Sequence, residues 1–389
     1  MGRSRPTEPA SESELVAAAS VLHDRAVAQQ HRGNLRRARV LCSYALGFIE
    51  RAAGPTSPDV ANVGNTLASI HQQLGAFADA ERLFRRSVDI TENATHGDDD
   101  AYVVRVQSLD GLATLLRVVA RYPEAEAVYR RARAAAERDL GPDHVEVAPV
   151  LNNLAVLYKF WGRFDDAETL YWRAHAIVER WLGADHPEMA TLYHNLGGLE
   201  HARGRFAAGE PYARRSVALR EAALGPDHLD VAADVAALAE LLDGQGRFEE
   251  AEKLYQRALA VFETTLGQDH YDVSVSLNNL AAIHFARGNF LAAEAFYWWA
   301  LSNKEKVLGP GHPDVALTLN NLAVLLKSVG KTEAAESLWQ RALGILEQSV
   351  IPTHPHLVTC VENYADLLRQ LGRQDDAARL ERRVGTAAS

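Results

Sequence analysis

The strongest constraint on this chain is that it repeats itself. The segment HVEVAPVLNNLAVLYKFWGRFDDAETLYWRAHAIVE, starting at His144, returns as HYDVSVSLNNLAAIHFARGNFLAAEAFYWWALSNKE from His270. It returns again as HPDVALTLNNLAVLLKSVGKTEAAESLWQRALGILE from His312. A central marker residue sets the register: Gly33, Gly75, Ala120, Gly162, Gly204, Gly246, Gly288, Gly330 and Gly372, in steps of 42 residues except for the 45 between Gly75 and Ala120. Five positions after each marker stands a small residue: Ala38, Ala80, Ala125, Ala167, Gly209, Ala251, Ala293, Ala335 and Ala377. The longer step is read as a polar loop, TENATHGDDDAY at 91–102. Units of this length cannot bury a core alone and must stack on their neighbours.

Within a unit the periodicity is helical. Leu151, Leu154, Ala155 and Tyr158 fall at i, i+3, i+4 and i+7, one face of a helix. Gly162 interrupts that helix, and Ala167, Tyr171 and Ala174 mark the buried stripe of a second. The small residue allows the two helices to approach closely, and the aromatic four positions on fills the gap between them. Gly183 suits a left-handed position just past the second helix. Pro187 and Glu188 suit the first turn of the next one.

The order Leu-Ala, aromatic, Gly, Ala, aromatic, Ala resembles the tetratricopeptide repeat, here lengthened from the usual unit of about 34 residues. The long unit, with its LGxDHPDV-like loop and its LNNLAVLY segment (151–158), is similar to the kinesin-light-chain type. The resemblance covers nearly the whole chain. It implies an all-α fold, a right-handed α-solenoid of about nine helix–turn–helix repeats and some eighteen helices. First helices would line a concave face and second helices a convex one. Residues 1–12 are expected to form a flexible tail and 13–389 a single solenoid.

Composition narrows the function. A formal charge of −10 works against general nucleic-acid binding, which needs a basic face. No signal peptide and no apolar run long enough to span a bilayer is visible, so a cytoplasmic protein without a membrane partner is expected. Cys42 and Cys360 lie too far apart along a solenoid to pair, which fits a reducing compartment. Only 6 of the 41 basic residues are lysine, which points to a GC-rich coding genome and hence a bacterium.

Several motifs dissolve into the repeat. Gly330-Lys331-Thr332 is no phosphate loop: the pattern needs a glycine five residues earlier, where Leu325 stands inside a helix. His144, His186, His228, His270, His312 and His354 recur in the loop before each first helix. Consecutive ones are separated by roughly 10 Å, a helix-to-helix distance, so a capping role is expected over a shared metal ion. Phe84, Tyr129, Tyr171, Tyr255, Tyr297 and Trp339 share one register on the second helix and belong to the core. Trp172, Trp298 and Trp299 lie off that stripe, and packing under the lengthened helix is the preferred reading over a docking surface.

The paired asparagines carry more information. Asn153, Asn195, Asn279, Asn321 and Asn363 occupy one register on the first helices, and Asn152, Asn278 and Asn320 precede three of them. Asparagine is a mediocre helix former, so five in register need a reason beyond propensity. In the family resembled, the second asparagine hydrogen-bonds the backbone of an extended peptide in the concave groove. That role falls on the five by position, with their neighbours as further partner contacts. Thr66, Gly111 and Ala237 stand at the same position elsewhere and depart from the pattern. The competing reading is that the carboxamides tie neighbouring repeats together.

Repeats four and five break local rules most. Gly197 replaces the small alanine, Glu200 the interior aromatic and Gly209 the alanine after the marker, while Pro211 falls inside a second helix. His194 and His201 share one helical face, with Glu240 and Asp243 expected opposite them. Such a polar cluster could hold a metal or do acid–base work, but a solvated groove wall is the commoner meaning. No metal, cofactor or catalytic residue is expected. The sequence reads as a non-catalytic scaffold for a protein or peptide partner. A peptide-responsive regulatory sensor and an enzyme built on that cluster are the alternatives, and the oligomeric state is left open.

Overall fold

The structure, a computed structural model, describes residues 11–93 and 99–384. Among them stand eighteen helices and no strand. They run α1 (Glu12–His31), α2 (Leu35–Ala53), α3 (Pro58–Gln73), α4 (Phe77–Glu92), α5 (Asp99–Val118) and α6 (Tyr122–Leu140). Then follow α7 (Val147–Phe160), α8 (Phe164–Leu182), α9 (Glu188–Ala202), α10 (Phe206–Leu224), α11 (Leu229–Gly244) and α12 (Phe248–Leu266). The last six are α13 (Tyr271–Ala286), α14 (Phe290–Leu308), α15 (Pro313–Ser328), α16 (Thr332–Ser349), α17 (Pro355–Gln370) and α18 (Gln374–Glu381). The chain divides into two compact units, Met1–Leu115 and Leu116–Ser389.

Of the tail expected at 1–12, residues 1–10 lie outside the described residues. Ser11 caps α1, accepting from the Glu14 backbone while Glu14 reaches back to the Ser11 amide, a reciprocal capping box. The loop expected at 91–102 is shorter than the sequence suggested. Helix α4 runs through Glu92 and α5 begins at Asp99, with residues 94–98 outside the described set.

Each marker is the turn between the two helices of a repeat. Gly162 has φ 77°, and beyond it the Arg163 amide donates to the Tyr158 carbonyl over 2.9 Å, closing the end of α7. Ala120 holds the same turn at φ 60°, a conformation that a Cβ disfavours. The left-handed cap expected at Gly183 is a different conformation: φ 93° with ψ 159° is extended backbone of a kind open essentially to glycine alone. The alanines five residues past each marker, Ala38 through Ala377, are fully buried, as are the six aromatics sharing the second-helix register. Trp172, Trp298 and Trp299, expected to be covered, are instead 40 to 45% exposed.

Four of the recurrent histidines, His228, His270, His312 and His354, are helix N-caps, and His144 and His186 make the same bond just ahead of α7 and α9. Nδ1 of His312 accepts from the Asp314 amide at 3.1 Å, and His144, His186, His228, His270 and His354 repeat the bond at 3.2–3.3 Å. Ser57 does the same for α3 with its hydroxyl. Both free cysteines are buried, which pushes each thiol up to about 12.

Candidate binding surface on the first helices

On the first helices the asparagine pairs stand half-buried, and each member has a different job. Asn195 Nδ2 donates to Asn152 Oδ1 at 2.8 Å, Asn363 to Asn320 at 3.0 Å, and Asn321 to Asn278 at 3.4 Å. The first carboxamide of one repeat thus accepts from the second carboxamide of the next, always 43 residues on. Within a pair, Asn152 donates to Asn153 Oδ1 at 3.1 Å, and Asn320 to Asn321 at 3.5 Å. Asn320 Oδ1 also accepts from the indole of buried Trp339 at 3.0 Å. In the unit Met1–Leu115 the same rung is made by His23 and Thr66, 2.8 Å apart. A carboxamide carries two N–H donors and two acceptor lone pairs, so one lateral bond leaves Asn195, Asn321 and Asn363 with a further donor and an acceptor.

The ladder breaks where Ala237 replaces the second asparagine. His194, at the first position of that rung, turns to Asp234 instead, with Nδ1 2.8 Å from Oδ1. Asp234 is buried on α11 and also accepts from Ser216 Oγ and Arg220 Nε, each at 2.7 Å. Burial alone would raise this carboxyl, but the hydrogen bonds from His194 and Ser216, with the charges of His194 and Arg220, hold it below the usual carboxylate range. Serine and histidine both converge on the aspartate, which is not the relay geometry of a nucleophilic triad. The sequence reading missed Asp234, although a carboxylate on an otherwise apolar stripe, with Arg220 14 residues earlier near the end of the preceding helix, was a visible signal.

Of the four residues expected to cluster, three meet. His194, His201 and Glu240 line a recess of about 260 Å³, with Lys159 from α7 as a fourth polar wall. Asp243 stands outside the lining. Glu240 is reached by solvent but crowded by the recess walls, and the crowding raises its carboxyl against the opposing charges of His201, His194 and Lys159. Crowding likewise raises Asp243, with His201 opposing. Lys159 is pushed down by burial and by nearby Arg117, and Glu240 works the other way. Asn279, whose own rung would fall on Ala236, instead lies with Nδ2 3.5 Å from Glu240 Oε1. Among the described residues no group of three or more His, Cys, Asp and Glu is placed to hold a metal ion.

The irregular residues around the recess are compensated. Glu200 is buried where the preceding repeat has Tyr158 and most others have leucine, and the buried guanidinium of Arg203 meets it at 2.7 Å while also reaching Glu168 at 2.8 Å and Asp165 at 2.9 Å. Helix α10 continues through Pro211. A Cβ at Gly209 would stand 2.7 Å from Leu241 Cδ2 and 3.0 Å from the Gly197 carbonyl, so any larger residue would have to push Leu241 aside and crowd the α9 backbone.

No described helix is long and apolar enough to cross a membrane. The tetratricopeptide repeat profile matches residues 17–93, 104–180, 162–208, 188–264, 232–306, 272–348 and 314–384. No curated protein sequence matches the chain. Among solved structures it is similar to a Rap protein complexed with competence and sporulation factor, with TM-score 0.54 and 13% identity over 84% of this chain and 97% of that one. Kinesin-light-chain nearly identical TPR-like repeats from Podospora anserina give 0.42 and 22%, over 50% and 92%. BtubC from P. vanneervenii gives 0.37 and 22%, over 68% and 87%. With its repeats matched over most of their length, the chain belongs to the tetratricopeptide repeat family.

Proposed function

We propose that the chain is a non-catalytic scaffold whose first-helix face binds an extended segment of another protein. The observation that carries this reading is the asparagine row. Three of its members keep a donor and an acceptor after their lateral bonds are made, and all are half-buried and reachable. A peptide backbone offers the complementary acceptor and donor at every residue, so such a row can hold a strand whatever its side chains are. Asn153, Asn195, Asn279, Asn321 and Asn363 are the contacts expected to matter most, with Asn152, Asn278 and Asn320 holding them in line. The resemblance in fold to the Rap protein solved with competence and sporulation factor fits a peptide partner. Partners would be proteins, in keeping with the acidic charge. Affinity capture followed by cross-linking tests this: cross-links should fall on α7, α9, α13, α15 and α17. Cross-links confined to second helices would refute it.

A further inference from the structure

Lys159 and Glu240 flank the same recess, yet they do not touch. Neither has an oppositely charged side chain within ion-pair distance among the described residues, although each feels the other's charge. Elsewhere in this unit, cations and carboxylates of successive repeats close up: Arg163 meets Glu126 at 3.0 Å, Arg247 meets Glu210 at 2.8 Å and Arg373 meets Glu336 at 2.8 Å. The recess therefore brings a lysine and a glutamate to one cavity without an ion pair between them. The Gly197-Gly198 pair of α9 also lines it. A Cβ at Gly198 would stand 3.3 Å from the Lys159 ammonium, so the glycine gives that lysine room to lie across the helix. Ala237, at the broken rung, leaves the space that an asparagine fills elsewhere.

We propose that this recess binds a free zwitterionic amino acid with a compact apolar side chain. Its carboxylate would meet Lys159 and its ammonium Glu240. His194, held through Nδ1 against Asp234, adds its other ring nitrogen as a further polar group on the recess wall. Phe160, more than half exposed, and Ala237 supply an apolar wall for the side chain. The volume of about 260 Å³ lies below the ~300–1,000 Å³ typical of drug-sized ligands, as a single small metabolite requires. This site is independent of the peptide-binding reading and survives if that reading fails.

Calorimetric titration of the full chain with L-alanine, L-valine and L-leucine tests the proposal, alongside N-acetyl-L-valine, which lacks the ammonium, and L-valinamide, which lacks the carboxylate. At least one free zwitterion should bind saturably at one site per chain, and each single-charge analogue should bind at least about tenfold more weakly, or about 1.4 kcal/mol. Lys159→Met and Glu240→Gln should each weaken binding by a similar factor. Ala237→Leu, which fills the recess and leaves every charge in place, should abolish it. Equal binding of valinamide or N-acetylvaline would overturn the proposal. So would the absence of a saturable signal with any of the three amino acids at millimolar concentration, or binding only of the capped dipeptide acetyl-Asp-Lys-amide.

Discussion

Asn195 donates through Nδ2 to Asn152 Oδ1 over 2.8 Å, joining α9 to α7 across 43 residues of chain. The same bond, at the same separation, joins Asn363 to Asn320 and Asn321 to Asn278. The pairing explains why asparagine comes in twos: one carboxamide faces back along the stack and the other forward. Lateral bonding and ligand binding are therefore not rivals for this row. The lateral bond fixes the rotamer of each carboxamide, and a fixed donor and acceptor loses less entropy on meeting a guest.

The ladder makes a stability prediction. Asn152→Ala removes the acceptor used by Asn195 and the donor used by Asn153, in a half-exposed setting that water can partly refill. The cost should be about 1 kcal/mol. Native-state hydrogen exchange should show it as faster opening of α7 and α9, with α15 and α17 unchanged. Uniform acceleration along the chain, or none, would contradict the assignment.

The two glycines of the irregular repeats should behave oppositely. A Cβ at Gly209 meets Leu241 and the Gly197 carbonyl too closely, so Gly209→Ala should destabilise by about 1–3 kcal/mol. A Cβ at Gly197 meets Ala213 at 3.4–3.6 Å, an ordinary contact inside a regular helix, and Gly197→Ala should stabilise by roughly 0.4–1 kcal/mol. Thermal melting of the two variants checks the pair. The same sign for both would show that the approach of α9 and α10 is wrongly described.

This contrast also shows what the sequence could and could not reveal. The repeat, its helices and the buried alanine–aromatic register follow from periodicity, because stacking imposes the same burial on every copy. The capping histidines were legible for the same reason. The asparagine row was seen, but its lateral bonds were not, since a 43-residue partner is visible only once the stack exists. Gly197 and Gly209 look alike as departures from alanine, and only their distances to neighbouring helices separate them. Asp234 escaped because it is a single departure from the repeat, and Lys159 because it shares its register with Arg117, Lys327 and Arg369 and looks like one more exposed cation; the meaning of each depends on which neighbour it reaches. Asp243 was placed with the cluster by helical spacing but stands outside the recess lining.

Acid titration should single out Asp234. Its folded pKa is depressed, so it stabilises the fold at pH values above the unfolded carboxyl value of about 3.9 and loses that contribution as pH falls through the lower folded value. At pH 7, Asp234→Ala should cost about 3 kcal/mol, because it leaves Arg220 without its buried partner. The gap between wild type and variant should narrow towards pH 3. Glu240 and Asp243 have raised values and act the other way: ionised, they weaken the fold at neutral pH, and the penalty fades as acid protonates them. Glu240→Gln should therefore raise the Tm at pH 7 and leave it unchanged near pH 3. A Tm at pH 7 lower than wild type would mean Glu240 is favourably paired.

The most direct test of the peptide-binding account is calorimetric titration of the captured partner segment against wild type and the double variant Asn279→Ala, Asn321→Ala, below the melting temperature of each. If these carboxamides hold the partner's backbone, affinity should fall by at least about tenfold, since each lost bond to a group left unpaired costs about 1–3 kcal/mol. The variant alone should melt only slightly earlier, because its lost lateral contacts are long, at 3.4 and 3.5 Å. Unchanged affinity, with or without a lower melting temperature, would mean that the row serves the stack alone.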